Sequence, residues 1–290
     1  MEDSSNGKHK EKALIDSKNL KKEYEHLYVE STTAGEAIER FIDLVAVLRK
    51  VCPWDKEQTH ESIRRGMIEE AYEVVEAINK KDFANLREEL GDVLLQVVFH
   101  AGLTDEEGEF NFTDIVNEEC EKMIRRHPHV FSDGEAKTVD KVLEKWENIK
   151  SKEHGNIAHT ERIKDVPKAL PALTRSEKVQ KRARDAGFDW DDIAGPIAKV
   201  SEELQEFCEA REKNDFACMQ EELGDLLFSV VNLSRMAKID PEESLNRATE
   251  KFIERFAMLE MRATESGKRL EDMTLEEMDA LWNLIKHTSC

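Results

Sequence analysis

One acidic pattern occurs twice in this chain, and its second copy follows the first at an offset of 133 residues. The first copy is Glu69-Glu70-x-x-Glu73, then fifteen residues, then Glu89-Leu90-Gly91-Asp92. The second is Glu202-Glu203-x-x-Glu206, then fifteen residues, then Glu222-Leu223-Gly224-Asp225. Aligned without a gap, 69–98 and 202–231 agree at 17 of 30 positions. A repeat this close means two versions of one structural unit. The 290 residues divide naturally between them. Because clustered carboxylates recur, the unit is expected to hold a hard cation.

Charge narrows the partners. With 63 acidic and 43 basic side chains, the chain carries a formal net charge of −20, which argues against nucleic acid, held as it is by Lys and Arg. Small phosphorylated ligands stay open if a cation sits between the two sets of negative charge. Cys52, Cys120, Cys208, Cys218 and Cys290 are odd in number, scattered and without a CxxC pair. They read as reduced thiols in a cytoplasmic protein, not as a zinc knuckle or a disulfide framework. No apolar run is long enough to cross a bilayer, so no membrane partner is expected.

The organisation is all-helical. Residues 1–32 form a charged, Lys-, Glu- and Ser-rich extension. The first unit spans 33–152 and opens on the capping-box pattern Thr33-x-x-Glu36. Ile38, Phe41, Ile42, Val45 and Leu48 follow at helical spacing. Further helices are expected near 58–79, 83–103, 113–126 and 139–152. Residues 153–173, with Pro167 and Pro171, read as a linker. The second unit, 174–290, repeats the order with helices near 195–212, 216–237, 241–262 and 275–287. Period-two alternation is almost absent, so the fold class is all-α, built as two tandem helical bundles.

The acids are placed to meet. Glu70 and Glu73 share a helix face, as do Glu89 and Asp92. Lys81 is eight residues from both Glu73 and Glu89, and eleven from both Glu70 and Asp92. In an antiparallel hairpin, such pairs lie level. The second copy repeats the symmetry about Asn214, with Glu206 level with Glu222 and Glu203 with Asp225. Two like charges at about 4 Å cost on the order of 4 kcal/mol at an effective dielectric of 20, so a cation between the acids would stabilise them. Asp92 and Asp225 lie in apolar runs, Leu90–Phe99 and Leu223–Val231, whose residues are expected to be core. An all-oxygen set suits Mg²⁺, with Mn²⁺ as the alternative, better than zinc. In a chain that is 37% charged, a lone EExxE is ordinarily a solvated face. The repeated four-position symmetry is what argues for a site.

A second parallel lies downstream. Lys122-x-x-x-Arg126 matches Lys251-x-x-x-Arg255, and Thr138…Trp146 matches Thr274…Trp282. Lys and Arg one turn apart could hold phosphate oxygens, and an indole could stack on a base. Read from the residues alone, a helical Trp is more often core.

Together, the EExxE…ExxD pattern, Cys52-Pro53-Trp54-Asp55-Lys56-Glu57-Gln58-Thr59, Arg125-Arg126-His127-Pro128-His129-Val130-Phe131 and Gly187-Phe188-Asp189-Trp190 resemble the MazG family of two-domain nucleoside triphosphate pyrophosphohydrolases. The resemblance covers about 35–287. It implies bundles of the all-α NTP pyrophosphatase type, completed by homodimerisation. It also implies Mg²⁺-dependent cleavage of an NTP or dNTP to monophosphate and pyrophosphate, mainly in the C-terminal unit. Carried over, the metal ligands and catalytic acids are Glu203, Glu206, Glu222 and Asp225, and the nucleotide contacts Lys199, Lys251, Arg255 and Trp282. The first-unit counterparts are Glu70, Glu73, Glu89, Asp92, Lys122, Arg126 and Trp146. Gly66 stands where the second unit has Lys199, so that unit lacks one cation. Glu69, Glu202 and Glu221 are candidates for orienting the attacking water. Two other readings stay open: a narrower-substrate pyrophosphatase of the same superfamily, and a non-catalytic metal-dependent nucleotide-binding protein.

Overall fold

The computed structural model describes residues 21–132 and 157–288, with scattered positions between 138 and 153. Its chain forms two compact units, Met1–Glu153 and His154–Cys290. All regular elements among the described residues are helices.

In the first unit the main helices are α1 (Ala34–Val51), α2 (His60–Lys80), α3 (Phe83–Glu107) and α4 (Phe112–Arg126). The capping box at the start of α1 forms in both directions: Glu36 N–H donates to Thr33 Oγ1, and Thr33 N–H donates to the Glu36 carboxylate, each at 3.2 Å. Val45, Val98, Phe99 and Leu103 make the core, with Ile38, Phe41 and Ile42 of α1 against it. The helix expected near 139–152 falls for the most part outside the described residues, as does the extension up to residue 20.

The second unit contains α5 (Ala172–Arg184), α6 (Ala194–Glu212), α7 (Phe216–Met236), α8 (Pro241–Glu265) and α9 (Leu275–Thr288). Helix α5 carries few apolar residues, which is why periodicity did not reveal it. Two features of 153–173 differ from a plain linker. A short helix, His159–Lys164, lies there, and Val166 is fully buried. Arg182 of α5 ties the segment down by donating to the Arg162 carbonyl.

The hairpins α2–α3 and α6–α7 run in contact along their lengths. Both turn on a left-handed residue at the expected centre of symmetry, Lys81 with φ 55° and Asn214 with φ 54°. The next residue caps the following helix: Asp82 accepts from Ala84 and Asn85 N–H at 3.1 Å, and Asp215 accepts from Cys218 N–H at 3.1 Å.

One expectation needs correction. The apolar runs around Asp92 and Asp225 are not wholly core. Val98, Phe99 and Val231 are buried, but Leu90, Leu94, Leu223, Leu227, Phe228 and Val230 are exposed. A helix in a two-helix hairpin buries only the stripe facing its own bundle, so the opposite stripe stays uncovered. Asp92 and Asp225 are held near their partners by the hairpin register, not by surrounding core.

Candidate metal and nucleotide sites

The matched levels of each hairpin bring acids together across it. In the first unit, Glu70, Glu73 and Glu89 each offer a carboxylate oxygen within 4.8 Å of the others. In the second, Glu203, Glu222 and Asp225 do the same. The two triads use different members of the repeat. Asp92 stands outside the first and Glu206 outside the second, though each remains close enough for its charge to act on the triad. Glu89 is 8% exposed and Glu203 4%, which is unusual for carboxylates; Glu89 has no ion-pair partner among the described residues, whereas Glu203 has the Lys199 ammonium beside it.

Their titration shows the strain of that arrangement. Burial raises the pKa of Glu70, and the charges of Asp92, Glu73 and Glu69 add to it. Burial also raises Glu89, helped by its hydrogen bond to Glu73 and by the neighbouring acids. Glu206 rises through burial and the charges of Glu222 and Glu203. Acids forced together at an all-oxygen site fit a divalent cation of the magnesium class.

The second unit already brings one cation of its own. Lys199, one turn before Glu203, places its ammonium 2.7 Å from Glu203 and 2.9 Å from Glu202. Those two carboxylates hold its proton well above the usual lysine range. The equivalent residue in the first unit is Gly66, and a Cβ there would fall 2.8 Å from the Gln96 amide nitrogen. Level with Lys199 stands Ser229, the counterpart of Gln96. The hairpins have thus exchanged sizes at this level, Gly66 with Gln96 in one and Lys199 with Ser229 in the other.

The downstream residues divide differently. In the first unit, Lys122 pairs with Glu119. Arg125 and Arg126 both hold the Glu153 carboxylate, each at 2.7 Å, which lowers its pKa to about 2. Trp146 lies against His127, ring centroids 5.7 Å apart. In the second unit, Trp282 packs on Phe252 at 5.2 Å, joining α9 to α8. Lys251 is exposed. The Arg255 Nε–H is buried with no hydrogen-bond partner among the described residues, a donor without an acceptor. Of the expected water-orienting residues, Glu69 is paired with Arg65 and Glu202 with Lys199. Glu221 makes no ion pair among the described residues. One contact went unforeseen: the Cys218 thiol donates to Glu222 at 3.6 Å, a consequence of i,i+4 spacing that the sequence does contain.

Comparison with known proteins agrees with this geometry. The family model described as "MazG nucleotide pyrophosphohydrolase domain" matches twice, at 58–131 and 195–257, each time enclosing one acidic hairpin. A nucleoside triphosphate pyrophosphohydrolase/pyrophosphatase MazG from Thermotoga maritima is 43% identical over 255 residues, covering 87% of this chain and 97% of that one. The chain belongs to the MazG family. Within it, the nucleoside triphosphate pyrophosphohydrolase of Escherichia coli K12 is 43% identical over 254 residues, covering 86% of this chain and 97% of its own. The protein YabN of Bacillus subtilis is 45% identical over 241 residues, which are 82% of this chain and 48% of YabN. A solved structure of a mazG-related protein from T. maritima covers 39% of this chain and 98% of its own at 26% identity, with a TM-score of 0.35. No helix among the described residues is long and apolar enough to cross a membrane.

Proposed function

We propose that this MazG-family chain hydrolyses nucleoside triphosphates to nucleoside monophosphate and pyrophosphate, with the second unit as the principal active site. The observation that carries this is the Glu203–Glu222–Asp225 triad, closed to within 4.8 Å and flanked by Lys199, in a chain 43% identical to pyrophosphohydrolases over almost their whole length.

Glu203, Glu222 and Asp225 would hold Mg²⁺, with Glu206 beside them to complete the set. Bound there, the ion supplies charge neutralisation for the triphosphate and a more acidic attacking water. The protein's own groups do the rest. Lys199 keeps its proton, so it acts as a fixed cation for phosphate oxygens and not as a proton donor. Arg255 offers a buried N–H that lacks an acceptor, and Lys251, one turn earlier, adds charge; both suit the departing pyrophosphate. Trp282 of α9 lies against Phe252, the neighbour of Lys251 in sequence, and is a candidate surface for the base. Lys122, Arg126 and Trp146 are the matching first-unit set, but there the cations are already neutralised by Glu119 and Glu153. Glu221 remains the carboxylate free to orient water.

A homodimer belongs to the same proposal. Leu204, Leu223, Leu227 and Val230 expose one apolar stripe along the second hairpin, and Ile68, Tyr72, Leu90 and Leu94 expose another along the first. A second copy would cover them. Light scattering should give twice the 33.4 kDa chain mass.

The decisive experiment is hydrolysis of the eight common NTPs and dNTPs with and without Mg²⁺, with both products identified. Monophosphate plus pyrophosphate, formed only with the ion, is expected. Diphosphate plus orthophosphate, or binding without turnover, would contradict the proposal.

A further inference from the structure

At its open end, away from the turn at Lys81, the first hairpin is joined by two histidines. His60 stands on the first turn of α2 and His100 on α3, both half-buried. Their Nδ1 atoms are 2.6 Å apart. The ring planes differ by 6°, and the centroids are separated by 4.9 Å. That separation is the Nδ1···Nδ1 distance plus one ring radius at each end. The rings therefore meet edge to edge in nearly one plane, each nitrogen pointing at the other.

Such a contact needs one proton between the nitrogens. A neutral imidazole has one N–H and one bare nitrogen, so one ring donates from Nδ1 and the other accepts at Nδ1. If the donor becomes an imidazolium it still donates, and its charge strengthens the bond. Two imidazoliums set N–H against N–H. The pair tolerates its first added proton and not its second.

The surroundings do little to offset a second charge. Burial, then the charge of His60, holds His100 below the usual histidine range. On α2 the carboxylate that feels His60 is Glu61, which is held by its own N–H and by Thr59 and also feels Arg64. Glu106 of α3 is taken by Arg49 of α1, with Lys50 acting on it too. Arg49 also donates to the Asp55 and Gln58 carbonyls of the loop before His60. Asp105 lines the cleft that α3 forms with α1 and α4. Asp114, in the first turn of α4, accepts from Asn111 N–H at 3.0 Å.

The histidines stand beside the core. Phe99 and Ala101 flank His100 in sequence and are buried, and Ile63, one turn after His60, packs on the same core. The turn at Lys81 closes one end of the hairpin and the histidines the other, with Glu70, Glu73 and Glu89 between them in sequence. At the 133-residue offset the second hairpin has Ile193 and Leu233 in these places, which take no proton. We propose that His60 and His100 form an acid-sensitive clasp on the first hairpin. It is closed while a single proton lies between the facing nitrogens. It opens when each nitrogen carries its own, releasing the first turns of α2 from α3. A histidine held below its unfolded value contributes stability that is complete above that value and is lost as pH falls toward the folded one. Glu70 and Glu89 act in the opposite sense, so the test must isolate the histidines.

The full-length, metal-free protein is followed by backbone hydrogen exchange, normalised for intrinsic rates, and by NMR titration of the imidazole nitrogens. Lowering the pH from about 7.5 to about 5 should quicken exchange in the first two turns of α2 by at least about tenfold, the equivalent of one displaced pKa unit. The pair should take up its two protons in separate steps at least about one unit apart. His60→Ile with His100→Leu, the residues of the second hairpin, should abolish the acceleration. So should His100→Gln, whose amide can pair with His60 in either charge state. Acid-quickened exchange that persists in either variant overturns the proposal. Independent titration of the two rings also overturns it. Neither measurement involves nucleotide, so failure here leaves the proposed hydrolysis untouched.

Discussion

The two acidic hairpins share ancestry in sequence and differ in how they manage charge. The first gathers Glu70, Glu73 and Glu89 with no cation of its own, and the pKa values of Glu70 and Glu89 rise. The second gathers Glu203, Glu222 and Asp225 and sets Lys199 against Glu203. Downstream, the first unit's arginines are taken by Glu153, while Arg255 of the second keeps an unmet N–H. Downstream of the second hairpin one guanidinium N–H is thus left for an incoming anion, while Lys122, Arg125 and Arg126 of the first unit are each paired with a carboxylate. A repeated acidic set alone does not make two equal charge environments.

The sharpest break would come from the acids themselves. Glu222→Gln or Asp225→Asn should lower pyrophosphate release by about a thousandfold. Glu89→Gln should leave it within about threefold. Equal losses in both hairpins, measured side by side with helicity checked by circular dichroism, would erase the contrast.

Lys199 is next in size. Removing it as Lys199→Ala should cost about a hundredfold in kcat/KM, the scale of one charged transition-state contact. The reverse graft, Gly66→Lys, should gain most with Gln96→Ser beside it, because the amide end of the glutamine must otherwise swing aside. If the single graft gains as much nucleotide affinity as the double, the size exchange has no consequence.

A stability measurement probes the same difference without nucleotide. The raised carboxylate pKa values of Glu70 and Glu89 mean that the folded first unit holds protons more tightly than the unfolded chain. Stability is therefore greatest below the unfolded value and falls as pH rises through the folded one. Without metal, the contribution of these two carboxyls to stability should grow as pH falls through their raised titration range, and Mg²⁺ should flatten that slope. Glu89→Gln should raise the metal-free melting temperature by a few degrees and abolish the added stability from Mg²⁺. An unchanged pH slope in Glu89→Gln would separate the titration from the triad.

The smallest expected effect lies at the turns. Lys81 adopts a left-handed conformation that favours glycine, so Lys81→Gly should stabilise the first unit by about 0.5–1 kcal/mol in chemical denaturation. Asn214→Gly should gain less, since asparagine tolerates that region.

Much of this was legible in the sequence. Symmetric counting about Lys81 and Asn214 identified both turns and the acids that meet. It could not say which three of four acids close, because side-chain rotation depends on local neighbours such as Lys199. The absence of a cation at Gly66 was visible; its link to Gln96 was not, since that pairing is set by the contact between helices. Periodicity treated the runs around Asp92 and Asp225 as core, because it reports apolar residues without saying which face a neighbour covers. Helix α5 went unnoticed for the opposite reason: a mostly charged helix carries little periodic signal.

Surface turns ordinarily tolerate insertions. The two pivots here should not. One residue added at this bend and taken up into α3 would rotate Glu89 by about 100° and slide it by about 1.5 Å relative to Glu70 and Glu73. No substitution would be needed to dismantle the cluster; a change of length eight positions away would suffice. The number of residues in each bend is therefore as much a part of the acidic cluster as the carboxylates, although none of those residues belongs to it.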